Sequence, residues 1–179
     1  HVLDTPALVD ALSELVATFN PANAARGNDA AITAAICMAN LAGADAARSR
    51  RIELRGDVLG GVVERFKVVA EDEAAAAEGW KLRDVMPALH VLARVPSNRS
   101  ALARVELRTV PTLVRLLRRL VEDKDALSAA QVRDTLMLVT EDDDVKRQLQ
   151  DASLAAELDA AVSAATALSA SPSRESTCR

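Results

Sequence analysis

Apolar residues recur along most of the chain at intervals of three and four positions, the spacing that places side chains on one face of an α-helix. In the first such segment they are Leu8, Leu12, Leu15, Val16 and Phe19. Thr5 and Pro6 have the residue types that favour a helix start, and Pro21 is of a type that ends one. The pattern therefore predicts a helix over residues 6–19.

The same spacing predicts a succession of further helices up to residue 170. They cover residues 29–43, 45–54, 58–70, 80–95, 97–107, 109–122, 124–140, 142–152 and 154–170. Pro87 leaves two alternatives open, because a proline inside a helix either kinks it or marks a new first turn, here near residue 86. Residues 171–179 lack an apolar pattern, which predicts a disordered tail.

Short motifs recur along the chain at fixed offsets. Residues 5–12, T-P-A-L-V-D-A-L, are similar to residues 110–117, V-P-T-L-V-R-L-L, at an offset of 105. Residues 52–55, I-E-L-R, are similar to residues 105–108, V-E-L-R, at an offset of 53, close to half of the longer interval. Such self-similarity is typical of a solenoid, which presents a long surface suited to binding other macromolecules.

One segment departs from the repeat. Residues 71–79, E-D-E-A-A-A-A-E-G, are acidic and of low complexity, and they lie where neighbouring units have a short turn. Lengthening a loop costs only about 0.6 kcal/mol per doubling of its length, so a repeat tolerates such an addition. We expect residues 71–79 to be a loop insertion that lengthens the period of its unit.

Two segments carry a pattern found in a known family: I-C-M-A-N-L-A-G-A-D-A-A-R-S-R-R-I-E-L, residues 36–54, and A-L-H-V-L-A-R-V-P-S-N-R-S-A-L-A-R-V-E-L-R-T-V-P-T-L-V-R-L-L, residues 88–117. They resemble armadillo repeats, whose units have a short first helix after an N-R type turn, a second helix near a proline and L-V-x-L-L, and a third helix ending A-L-x-N-L. The resemblance implies an all-α fold, a right-handed α-solenoid of three-helix repeats in one domain over residues 1–170. A HEAT-like solenoid is the alternative, since the two families share a similar period.

Composition agrees with a helical protein. The chain has 179 residues, of which only 2% are aromatic, so its core must consist of Leu, Val, Ile and Ala. A net charge of −4 gives no basic footprint for nucleic acid. No apolar run approaches the roughly 20 residues that a membrane span requires. We expect no nucleic-acid partner, no membrane span and a cytoplasmic location, with the nucleus as the alternative.

The resemblance singles out one pair of residues on a predicted third helix. Peptide-binding members of the family have an aromatic residue there, followed four positions later by an asparagine, and the matching pair is Ile36 and Asn40. The corresponding pairs in the next two units are Pro87 with Val91 and Arg133 with Met137. Asn40 and Ile36 are therefore candidate partner-binding residues. Because the asparagine is present in one copy only, an importin-like clamp on a peptide backbone is not expected, and the alternative is that Asn40 caps or braces the adjoining turn.

Arginines form the second candidate surface. Within 26 residues that contain a single acid, Glu106, lie Arg94, Arg99, Arg104, Arg108, Arg115, Arg118 and Arg119, and we add Arg133 from the following unit. Guanidinium groups recognise carboxylates and phosphates through paired hydrogen bonds, so an acidic or phosphorylated segment of a protein partner is the expected ligand. The alternative is an ordinary solvated helix face, with some arginines paired to Glu122, Asp123 or Asp125.

Residues that could carry out chemistry are few. The histidines are His1 and His90, and His90 lies among apolar residues, as a structural histidine does. Cys37 has the surroundings of a small buried hydrophobic residue. The acids of residues 141–144 lack the alternating ligands and glycine of a calcium loop, and they suit the start of a helix. We therefore predict no catalysis, no metal and no cofactor.

The sequence favours a non-catalytic protein–protein interaction module, a scaffold or adaptor segment of a larger intracellular protein. Its partner would bind through the groove of the helical repeats and through the arginine-rich surface. The alternative function is a regulatory or self-association module, comparable to helical segments that hold a small GTPase or an autoinhibitory tail.

Overall fold

The computed structural model describes residues 6–22, 28–43, 52–71, 80–150 and 152–170, and within these ranges every regular element is helical. The α-helices are α1 (Pro6–Ala17), α2 (Asp29–Gly43), α3 (Gly56–Glu71), α4 (Leu82–Ala93), α5 (Pro96–Leu102), α6 (Thr109–Glu122), α7 (Ala126–Val139), α8 (Asp143–Gln148) and α9 (Ala152–Ala170). A 3₁₀ turn, Val105–Leu107, lies between α5 and α6. The all-α prediction is confirmed. Residues 72–79 of the predicted insertion and the predicted tail lie outside the described residues.

The helices pack in two rows. In the first row α2 contacts α4, and α4 contacts α7; in the second row α3 contacts α6, and α6 contacts α9. The rows are joined where α4 packs on α3 and where α7 packs on α6. At one end of the two rows, α1 packs on α2. The short helix α5 packs against both α3 and α4. Each long helix in the middle of the molecule therefore has neighbours on several sides.

Small residues allow α2 to approach its neighbours closely. Its buried positions include five alanines, Ala31, Ala34, Ala35, Ala39 and Ala42. On α3, a Cβ atom at Gly61 would lie 2.8 Å from the Cδ1 of Ile32, a distance at which one of the two must move. The absence of a side chain at Gly61 thus lets α3 pack directly against α2, and α3 runs without interruption through this glycine.

The core is aliphatic and continuous, as the low aromatic content predicts. Phe66 is the largest of the fully buried side chains, and Leu113 and Leu117 of α6 are also completely buried. Because each of these side chains removes apolar surface from water, burial at about 25 cal/mol per Å² is the dominant stabilising term. None of the helices in the described residues is both long enough and apolar enough to cross a lipid bilayer.

One detail of the chain differs from expectation, and one open alternative is resolved. Residues 52–55 are not helical, although the sequence pattern predicts a short helix over residues 45–54, of which residues 45–51 lie outside the described residues. Helix α4 starts at Leu82 and continues through Pro87, so this proline does not mark a new first turn. The first turn of α4 is stabilised by a capping interaction, in which the Asp84 carboxylate accepts a hydrogen bond from the backbone N–H of Lys81 at 3.1 Å.

Candidate functional site

The asparagine singled out by the sequence braces two helices. Asn40 is exposed near the end of α2, and its side-chain amide donates to the backbone carbonyl of Asp84 in the first turn of α4, at 2.8 Å. Ile36, one turn earlier, has no exposed surface. Ile36 is therefore a core residue and has to be removed from the candidate contact surface, because a partner cannot reach its side chain.

His90 joins the first-row helices α4 and α7. Its Nδ1 lies 3.0 Å from the hydroxyl oxygen of the buried Thr135, and that hydroxyl donates to the carbonyl of Gln131 at 2.8 Å. Because the Thr135 hydrogen is already used, the His90 Nδ1 carries the hydrogen and donates it. Burial lowers the pKa of His90, and the charge of Arg94 lowers it further, while Asp134 acts in the opposite direction. The neutral ring is thus favoured.

Arg99 joins α5 to the residues that follow α7. Its side chain is largely buried, its Nε donates to the carbonyl of Ala93 at 2.8 Å, and its guanidinium pairs with the Glu141 carboxylate beyond the end of α7. Next to it, the Ser100 hydroxyl donates to the Asp142 carboxylate at 2.8 Å. Arg99 is already hydrogen-bonded on two sides, so it contributes little to a surface that a partner could use.

The neighbouring Asn98 is a structural residue whose role the sequence did not reveal. It is fully buried, its amide nitrogen donates to the carbonyls of Ile52 and Leu92, and its oxygen accepts from the N–H of Leu54. These three bonds tie the first turn of α5 to the segment before α3 and to the end of α4. The N-R sequence of the turn is the one signal that pointed to this position.

The two most exposed arginines of α6 each face an acid on an adjacent second-row helix. An Nη of Arg115 lies 3.4 Å from a carboxylate oxygen of Glu71 on α3, and an Nη of Arg118 lies 3.6 Å from one of Glu157 on α9. Neither Glu71 nor Glu157 is among the acids that the sequence suggests as partners of these arginines. Exposed pairs of this kind contribute about 0–1 kcal/mol each, so they orient side chains more than they stabilise the fold.

The remaining arginines do not form one patch. The guanidinium of Arg104 lies over the first residue of α3, where a Cβ at Gly56 would be 2.9 Å from its Nη2. Arg115 approaches Glu71, the last residue of the same helix. With 16 residues in α3, these two points are about 22 Å apart. Arginines that are close in sequence therefore lie at opposite ends of α3, and the prediction of one continuous arginine-rich surface is wrong.

Arg133 and Arg94 lie apart from these groups. Arg133, half-buried on α7, pairs with the adjacent Asp134, with an Nη–Oδ1 distance of 2.8 Å. Arg94 is half-buried at the end of α4, and Arg108 is exposed and has a left-handed backbone conformation before α6, with φ of 51°. Neither residue forms an ion pair with an acid in the part of the chain that the structure describes.

Two adjoining clefts meet at Arg119. The larger, of about 550 Å³, is lined by Lys81, Leu82, Arg83, Arg119, Leu120, Asp123, Asp125 and Ser128. The smaller, of about 250 Å³, is lined by Ala70, Glu71, Thr112, Arg115, Leu116 and Arg119. We call the two together the Arg119 cleft. Lys81 and Arg83 were missed in the sequence, because they precede Arg119 by more than 30 positions and only the folded chain brings them near it.

The acids of residues 141–144 act at a helix start, as the sequence predicts. Asp142 caps α8 by accepting from the N–H of Asp144 at 2.9 Å, and Asp143 lies 2.7 Å from the ammonium of Lys146. The Lys146 ammonium holds the pKa of Asp143 below its usual value. Among the residues described, no group of three or more acidic, histidine or cysteine side chains is arranged to hold a metal ion.

Comparison with protein-family models, with curated proteins and with solved structures finds no match for this chain.

Proposed function

We propose that this chain is a non-catalytic protein-binding module of an intracellular scaffold or adaptor, built as a right-handed armadillo-like α-solenoid. The observation that supports the proposal is a similar spacing of the bonds that join successive helices beyond residue 80. His90 and Thr135 are 45 positions apart, and Arg99 and Glu141 are 42 apart. Armadillo and HEAT repeats have periods of about 40–47 residues.

The starts of the helices support the same period. From α4 to α7 the starting residues are 44 positions apart, and from α6 to α9 they are 43 apart. The two intervals that include residues 71–79, from α2 to α4 and from α3 to α6, are both 53. The excess of nine or ten positions matches the nine residues of the acidic segment, which fits an insertion into a regular array.

Binding is the function that such an array serves best. Each unit buries its apolar face against the next, so the outer faces of successive units remain open to a partner along the molecule. His90, the histidine among the described residues, lies 3.0 Å from the Thr135 hydroxyl and so takes part in the packing of α4 on α7. The basic part of the outer surface, at the Arg119 cleft, favours a partner with an acidic segment.

A specific observation favours self-association as the second candidate. On α1, Val9 and Leu15 are 41% and 43% exposed, and this helix packs mainly on α2. Apolar side chains on an end helix are a surface on which a second copy could pack. Light scattering over a range of concentrations separates the candidates, because self-association raises the mean mass and a monomeric adaptor keeps it constant.

Charge reversal tests the proposed function. Arg115→Glu, Arg118→Glu and Arg119→Glu together should abolish capture of a partner, identified first with the unaltered chain, and leave the helical circular dichroism unchanged. The matched control reverses Arg55, Arg104 and Arg108, which changes the net charge equally and lies toward the other end of α3 or in the turn before α6. Equal capture by both variants and by the unaltered chain would rule out the proposed surface.

A further inference from the structure

We propose that the Arg119 cleft binds an acidic segment of a partner protein, with carboxylates at intervals along an extended chain and apolar side chains between them. The proposal rests on the protein-binding function proposed above and adds to it the site and the chemistry of the ligand. Its basis is a group of cations on α6 and at the start of α4, beside apolar lining residues, around one arginine that has no acidic partner among the described residues.

Arg119 is the cation at the centre of this group and has no ion-pair partner among the described residues. It is half-buried on α6, it lines both clefts, and no acid lies within ion-pair distance of it in the described ranges. A guanidinium that is partly removed from water gains more from a carboxylate than a fully exposed one, because the surrounding dielectric is lower. Arg119 is therefore the cation for which an incoming carboxylate offers the largest gain.

Other cations surround Arg119 on two sides. Lys81 and Arg83 are exposed at the start of α4 and line the larger cleft, and Arg115 lines the smaller one. Two of the acids that line the same clefts already form contacts within the protein. Glu71 faces Arg115 at 3.4 Å, and the Asp125 carboxylate accepts from the N–H of Ser128 at 3.1 Å as the cap of α7. With Asp123 included, three acids and four cations line the two clefts, so the lining has an excess of one positive charge although the whole chain has a net charge of −4.

Three leucines contribute to the lining of the cleft. Leu82, Leu116 and Leu120 are each buried, with 7%, 2% and 6% of their surface exposed. Their exposed atoms offer apolar contacts to side chains of a bound peptide. The larger cleft, of about 550 Å³, has the volume of an ordinary ligand site and can hold several side chains.

The distribution of charge favours spaced carboxylates over a single phosphate. The cations are divided between two adjoining clefts, whereas a phosphate needs several donors around one point. Glu71 and Asp123 lie on the same walls and would repel a concentrated double negative charge. Single carboxylates on an extended peptide can reach Arg119, Arg115 and Lys81 separately and avoid these acids.

Fluorescence anisotropy with the full chain tests the proposal. The probe is a short labelled peptide in which Asp and Glu alternate with Leu. Two control peptides have Asn and Gln in place of the acids, or one phosphoserine and no acids. We expect the acidic peptide to bind at least about tenfold more tightly than either control, and its affinity to fall as NaCl rises from about 50 to about 500 mM.

Variants locate the binding site. Arg119→Gln should weaken binding of the acidic peptide at least about tenfold, and the double variant Lys81→Gln, Arg83→Gln about fivefold. Arg108→Gln, an exposed arginine that lines neither cleft, is the matched control and should change the affinity less than about twofold. Circular dichroism on each variant checks that the helices are intact.

Three results would overturn the assignment: equal weakening by Arg119→Gln and Arg108→Gln, tighter binding of the phosphoserine peptide, or no binding of the acidic peptide at all. In each case a partner that the chain still captures would leave the protein-binding function standing and reject the cleft alone. If Arg119→Gln weakens the acidic peptide but no protein partner is captured, the cleft assignment stands and the broader function fails.

Discussion

Helices α1 and α6 begin with similar sequences and end in different environments. Residues 5–12 and 110–117 share a proline followed by a leucine and a valine, yet Leu113 is fully buried and Val114 is 2% exposed, while none of residues 8–17 is buried. Helix α6 has α3 and α9 beside it in its row and α7 behind it, whereas α1 packs mainly on α2. The same apolar motif is therefore stabilising only where neighbours lie on several sides.

Truncation of equivalent leucines should show the largest difference between the two helices. Leu113→Ala should lower the free energy of unfolding by about 2–5 kcal/mol, because it leaves a cavity in a packed core. Leu8→Ala, at the matching position of α1, should cost less than about 1 kcal/mol, because this side chain is already partly in water. Urea denaturation followed by circular dichroism measures both values, and equal losses would contradict the account of the central helix.

A second prediction compares a buried asparagine, Asn98, with an exposed one, Asn40. Asn98→Ala removes one fully buried amide and leaves the N–H of Leu54 and two carbonyls without partners, so it should cost at least about 2 kcal/mol. Asn40→Ala removes one exposed hydrogen bond and should cost at most about 1 kcal/mol. The same denaturation experiment applies, and a larger loss at Asn40 would show that the contact between α2 and α4 is the weak point.

The smallest expected effect is a pH dependence at the contact between α4 and α7. The pKa of His90 is below its ordinary value of 6.5 in the folded chain, so the unfolded chain takes up the proton first as the pH falls. His90 then contributes its full stability above pH 6.5 and loses it as the pH falls through that value toward the folded pKa. The nearby charges are Arg94, on the same helix, and Asp134, on α7.

His90→Gln keeps a donor for Thr135 and cannot titrate. Its urea midpoint should therefore change less than that of the unaltered chain between about pH 7.5 and about pH 5.5. Carboxylates contribute equally to both proteins over this range, so they cancel in the comparison. The same pH dependence in both proteins would show that the ring of His90 does not couple to folding.

The sequence predicts the long helices well, because their apolar spacing is strong and their ends carry caps and prolines. The bounds of α6, residues 109–122, agree with the pattern, and Leu113 and Leu116 face the core. The segment of residues 52–55, before α3, is not helical, although the helix predicted over residues 45–54 includes its first three residues. Its backbone groups are satisfied by the side chain of Asn98, which lies more than 40 positions further along the chain, and not by the turns of a helix.

The candidate site was less predictable than the fold. Arg115 and Arg118 pair with Glu71 and Glu157, which are 44 and 39 positions away, so no local pattern reveals these contacts. Lys81 and Arg83 join Arg119 only through packing. A run of arginines in a sequence shows how many cations are present. Which end of α3 each of them lies beside depends on how the helices pack.

Hydrogen exchange of the native chain, followed by mass spectrometry, tests most directly whether neighbours on several sides determine local stability. Amides of α4 and α6 should exchange most slowly, and those of α1 at least about tenfold faster, because α1 can open without disrupting the two central rows. Equal protection of α1 and α6 would mean that the chain opens as one unit, and it would contradict the distinction between the centre and the end of the molecule.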